Sequence, residues 1–105
     1  MSTFKPGYDS LTQLSNSGGT ITTVAQTFSF PGSGANRAVR IVNPGTAYPL
    51  YADAGNSGCA ATETDFQILP NDTGLLLAPH NATVLSLYAA GTITGVTWTF
   101  GTIEP

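Results

Sequence analysis

The chain has 105 residues, of which 9% are charged, with a net charge of −3 and one cysteine, which is room for one domain with one modest core. Its three cations, Lys5, Arg37 and Arg40, are too few for the phosphate footprint of a nucleic-acid binder. No apolar run approaches the roughly 20 residues that span a bilayer, and a hydrophobic content of 41% is far from the composition of a disordered chain.

In chain order, residues 1–19 end in the Ser/Asn/Gly-rich SNSGG and read as a mobile N-terminal arm, with a weak strand pattern over 8–14. Residues 20–105 read as a single β-sandwich domain. TVAQTFSF places Val24, Gln26, Phe28 and Phe30 on one face, with the phenylalanines toward the core. Ile21 has the wrong parity for that face, which implies a bulge or a later strand start. PGSGAN is a loop, and RAVRIVN sets Val39 and Ile41 together against Ala38, Arg40 and Val42. After the NPG turn comes TAYPLYAD, where Pro49 lacks an amide donor and marks an edge strand or a bulge. Further on, alternation pairs Phe66 with Ile68, Leu75 with Leu77, Leu85 with Leu87, and Val96 with Trp98 and Phe100. PNDTG and PHNAT are tight turns, and AAGT is read as a hairpin turn. About seven or eight strands at this spacing predict an all-β fold, an antiparallel β-sandwich of jelly-roll or immunoglobulin-like type.

Over Val39 to Gly101 the segments VRIVNPGTAYPLYAD, FQILPNDTGLLLAP and TVLSLYAAGTITGVTWTFG resemble small virion proteins of tailed bacteriophages with β-sandwich domains. The likeness lies in turn chemistry, so it carries over no functional residue. It implies a capsid decoration or cement protein that binds the major capsid protein at the outer surface of a head, after synthesis in the host cytoplasm. Proteins of this kind are often trimers, so a homo-oligomer, a trimer by preference, is the expectation. A tail or adaptor accessory would use the same kind of domain.

The residues themselves suggest contact rather than catalysis. A surface of Thr, Ser, Asn and Gly has few charges to desolvate, which suits protein contact, although a soluble Thr-rich β domain would look the same. Tyr48, Tyr51, Asp53 and Asn56, in and around YADAGNSG, are the candidate contact residues. The rival reading is a carbohydrate-binding module in which Tyr48, Tyr51 and Trp98 stack on sugar rings, against which the core-facing parity of Trp98 argues.

No cofactor or metal is expected. His80 lies in a turn, and nothing places it with Asp72 and Ser86 as an acid–base set. Glu63 and Asp65 would share a face on a regular strand, but Phe66 of opposite parity makes them solvent-facing residues. YADAGNSG lacks the full calcium-loop pattern, and the glycine-rich stretches lack a P-loop lysine. Asn71 and Asn81, in NDT and NAT, read as turn formers, and Cys59 as a small filler residue. The polar start MSTFKPGYDS contains no signal-peptide core, and a lone cysteine fits a reducing compartment.

Overall fold

A computed structural model describes residues 3–6, 16–32 and 35–104. These form nine strands: β1 (Thr3–Pro6), β2 (Asn16–Ile21), β3 (Gln26–Ser29), β4 (Arg37–Asn43), β5 (Leu50–Gly55), β6 (Phe66–Ile68), β7 (Asp72–Leu77), β8 (Val84–Ala89) and β9 (Ile93–Glu104). One sheet, A, runs β9, β4, β7 outward from an edge that β1 and β2 occupy in tandem, and the other, B, runs β3, β8, β5, β6. Every pairing is antiparallel.

The pairs β2 with β9, β3 with β8, β4 with β7 and β5 with β6 are those of one long antiparallel hairpin rolled up on itself. That order is a jelly roll, and it sets aside the immunoglobulin-like alternative. β1 is an addition to it. Alternation sends Val39, Ile41, Val96, Trp98 and Phe100 of sheet A into the same core as Leu50, Leu85, Leu87 and Ile68 of sheet B. Aromatic contacts join the layers: Phe28 meets Trp98 at 4.5 Å between ring centres, and Phe30 meets Phe100 edge-on at 4.8 Å. Each such pair adds about 0.5–1.5 kcal/mol beyond its buried area.

Several local expectations change. Within the expected arm, Thr3–Pro6 and Asn16–Gly19 are strand, paired with β9; residues 1–2 and 7–15, which include the weak pattern over 8–14, lie outside the described residues. The bulge and later strand start expected from the parity of Ile21 are both present, in the register shift between Gly19 and Ile21 and the start of β3 at Gln26, but Val24 falls in the crossover to sheet B, so it does not share the face of Phe28. Pro49 marks neither an edge nor a bulge, because it sits just before β5, a central strand between β8 and β6. Its missing donor costs nothing there.

AAGT is not a hairpin turn, since β8 and β9 lie in different sheets. Leu75 and Leu77 face outward and are exposed, while Gly74 and Leu76 face in. The reason lies at the corner between the sheets, where β6 crowds Gly74: a Cβ there would come within 2.5 Å of Ile68 Cγ1 and 2.8 Å of the Phe66 ring.

Because the hairpin is rolled, its connections alternate between two ends of the sandwich. One end carries loops 22–25, 44–49, 69–71 and 90–92, and the other carries 30–32, 35–36, 56–65 and 78–83.

Gly74→Ala should overpack this corner and lower stability by about 1–3 kcal/mol. Urea denaturation would show it as a lower midpoint at unchanged slope; an unchanged midpoint would mean that β6 yields freely.

Candidate functional site

The first of these ends is held together by a buried amide. Asn43, the last residue of β4, is fully buried and donates through Nδ2 to the carbonyls of Tyr48 and Ile68, both at 3.1 Å. Its Oδ1 accepts from the Gly45 amide at 2.9 Å. One side chain thereby ties β4, the 44–49 loop and the end of β6.

Main-chain bonds extend the link to the other loops. Asn71 N donates to Gly45 O at 3.0 Å, Ala90 N to Pro49 O at 3.2 Å, and Ala89 N to Thr22 O at 2.9 Å. Asn71 takes a positive φ of 60°, a conformation that Asn tolerates better than most residues. The Tyr48 ring lies on Gly91, where a Cβ would come within 2.5 Å of it. Beside Tyr48 is an open cleft of about 300 Å³, lined by Pro44 to Tyr48 and Thr92 to Thr94.

The loops of this end carry no charge: none of residues 22–25, 44–49, 69–71 and 90–92 is Asp, Glu, Lys, Arg or His, and the exposed Asp72 that opens β7 stands at their margin. Three large apolar side chains stand out from it, Val24 at 70% exposure, Leu69 at 54% and Tyr48 at 45%. Depletion of charge around exposed apolar and aromatic groups is the compositional mark of an interface core. No known protein family, curated protein or solved structure matches this chain. The geometry is therefore its own witness.

The opposite end is built differently. Arg37 is buried against the Phe30 ring, 5.2 Å from its centre. Its guanidinium donates to the carbonyls of Pro31 and Gly32 at 3.2 Å and of His80 at 3.0 Å. Glu63, Asp65 and His80 also sit in the loops of this end.

The four expected contact residues do not form one rim. Tyr48 belongs to the charge-free end. Tyr51 and Asp53 face outward from sheet B; Tyr51 stacks obliquely on Tyr88 at 5.9 Å and accepts from Gln67 Nε2 at 3.3 Å. Asn56 lies past β5, where its carbonyl accepts from Cys59 N at 3.0 Å. With the six residues of β5 between them, Tyr48 and Asn56 are about 20 Å apart, at ~3.3 Å per residue. Of the three aromatics in the sugar-binding reading, Trp98 is core and Tyr51 is buried, so only Tyr48 is open.

The residues weighed for chemistry are dispersed. Ser86 is fully buried and its Oγ accepts from Ala61 N at 2.8 Å. Asp72 stands at the start of β7 by the charge-free end, while His80 occupies a turn at the opposite one. Glu63 and Asp65 lie in a loop, not a strand, and Asp65 accepts from Thr62 N at 2.8 Å. Among the described residues, no group of three His, Cys, Asp or Glu side chains is placed to hold a metal.

The loop 56–65 folds back over sheet B. There Cys59 Sγ donates to Asp53 Oδ2 at 3.2 Å. Burial first, then this hydrogen bond and the charges of Asp53 and Asp65, push the thiol up to about 11. The raised value favours the protonated thiol, so the fold opposes thiolate formation as pH climbs from 9 toward 11.

Val24 was read as sharing the core-facing side of Phe28 and Phe30, and Leu69 was not singled out, since an isolated exposed apolar residue is ordinary. The usable signal was the absence of charge from every second connection of the chain.

Asn43→Ala should cost about 2 kcal/mol, because the buried Ile68 carbonyl and the part-buried Tyr48 carbonyl lose their donor; a urea midpoint like the wild type's would show that the amide is dispensable. Cys59 should alkylate slowly at pH 8 and accelerate only above pH 9, and Asp53→Asn should bring that rise to lower pH. Alkylation at the rate of a free thiol at pH 8 would refute the protected geometry.

Proposed function

We propose that this protein is a non-enzymatic structural component of a virion, a decoration or cement protein that docks on the major capsid protein of a phage head. The observation that carries the reading is the charge-free end, where hydrogen bonds fix four loops into a preformed surface and Val24, Tyr48 and Leu69 project from it. A preformed surface of small and apolar groups binds with little ordering cost and little desolvation of charge. Further support comes from the resemblance of the turn segments to small phage virion proteins. The jelly roll recurs in viral capsid and lectin domains, which is support by analogy of fold.

The lectin branch of that analogy has one observation in its favour, the cleft beside Tyr48. A single open aromatic ring makes a poor stacking platform, so the protein-contact reading is preferred.

The test is the copy number of the chain in purified particles, set beside the Tyr48→Asp, Leu69→Asp double variant. Near-stoichiometric abundance with the shell protein is expected, as is a loss of binding of about thirtyfold or more for the variant, as for a hot-spot residue. Its melting should fall only modestly, because both residues are about half exposed and the Tyr48 ring loses only its contact with Gly91, and Leu69→Asp alone, which keeps that contact, should weaken binding as well. A handful of copies would move the protein to a tail or adaptor position. Absence from particles, or binding indifferent to the substitutions, would overturn the proposal.

A further inference from the structure

Sheet edges invite pairing with other chains, and proteins blunt them with short strands, bulges, prolines or lysines. Three of the four edge positions here carry such devices. β3 has four residues and β6 has three, and the β1/β2 edge is interrupted between Pro6 and Asn16 and shifts register between Gly19 and Ile21.

β7 has none. Its six residues, DTGLLL, contain no proline or lysine, and they pair with β4 without a register shift from Ala38↔Leu77 to Asn43↔Asp72.

The direction of its free main-chain groups follows from one bond. Ala78 N donates to Arg37 O at 2.8 Å, so by the two-residue period Leu76 and Gly74 turn their N–H and C=O groups toward β4, while the Asp72 amide closes the preceding turn on Leu69 O at 3.1 Å. Thr73, Leu75 and Leu77 turn theirs to the open side. Consistently, the Thr73 amide is taken by the Asp72 side chain at 2.8 Å rather than by a strand. Leu75 and Leu77 are also the exposed pair on this strand, at 43% and 59%.

We infer that β7 is the interface strand of a symmetric dimer, in which two copies pair antiparallel through β7 and join their A sheets into one continuous sheet. The occupant is a second copy because the strand is complementary to itself. About a two-fold axis at Leu75, Leu75 faces its own counterpart with both hydrogen bonds made. Thr73 then faces Leu77, and Asp72, the only charge on the strand, faces Ala78 rather than another carboxylate. Like charges directly opposed would destabilise the pairing, and this register contains none. The outer face then carries an unbroken strip of leucines across the joint. A two-fold joint of this kind closes at two copies, so it takes the place of the trimer that the resemblance implied. It uses none of the residues of the charge-free end and stands apart from the docking role.

The test is an equilibrium measurement of mass on the full chain over a concentration series, with three variants. The wild type should pass from monomer to dimer. Leu75→Lys, which opposes two like charges at the axis, should weaken association at least about tenfold while melting like the wild-type monomer.

In a Cys59→Ser background, Leu75→Cys should oxidise to a covalent dimer, since opposed Cα atoms in a hydrogen-bonded pair are about 5.5 Å apart, within disulfide reach. Leu77→Cys should not, because four residues separate it from the position opposite its own copy, about 13 Å. A monomer at every concentration, a trimer, a dimer indifferent to Leu75→Lys, or equal cross-linking of the two cysteine variants would overturn the proposal. So would protection of the Leu75 and Leu77 amides from exchange only when shell protein is added, which would assign the edge to that protein.

Discussion

β9 runs for twelve residues and is paired along both of its edges, with β4 on one side and β1 and β2 on the other. Sheet A has no other strand that touches so much of it. The same strand presents Val96, Trp98 and Phe100 to the interior, where Trp98 and Phe100 meet Phe28 and Phe30 from the β3 side of sheet B. Lateral hydrogen bonding and face-to-face packing are therefore carried by one segment. The rolled hairpin needs such a segment, because its two halves are far apart in sequence and only a strand near the chain's end closes them on each other. Contacts of this kind are non-local, which places loop-closure entropy ahead of the reward for burial.

The two ends of the sandwich solve the same problem with different chemistry. Where sheets stop, carbonyls that no strand satisfies must find donors or water. At one end a neutral amide, Asn43, answers two of them and a loop N–H besides. At the other end a guanidinium, Arg37, answers three. The neutral solution leaves the four loops of its end without a charge to desolvate, and that is what makes them suitable for contact with another surface. The charged solution gathers a cation beneath loops that also hold Glu63, Asp65 and His80. The asymmetry of the molecule is thus decided by two buried side chains.

Legibility followed the regularity of the strands. Trp98 was readable as core because it alternates in phase with Val96 and Phe100, and Leu85 with Leu87 for the same reason. Three consecutive leucines, Leu75 to Leu77, carry no phase, and what sets theirs is a glycine, Gly74, crowded by Ile68 and Phe66 from the neighbouring sheet. Such a contact has no local signature. Pro49 illustrates a sound rule applied one position too far along, since its effect ends just before Leu50. AAGT has the composition of a tight turn whether the next strand pairs beside the last or crosses to the facing sheet, so short connections reveal reversal but not destination. At the candidate site, Tyr48 could be picked out as an aromatic in a turn. Its association with Val24 and Leu69 could not, because it depends on which loops the roll brings to the same end.

The tandem placement of β1 and β2 also fixes where the polypeptide leaves the fold. Thr3 lies opposite Glu104, so both termini of the described chain emerge side by side, at the pole away from Tyr48 and Leu69. Neighbouring termini are the geometry in which a chain can be joined end to end and reopened elsewhere. The same geometry gives the domain a handle: polypeptide joined at either terminus projects from the Arg37 pole, leaving the opposite one bare.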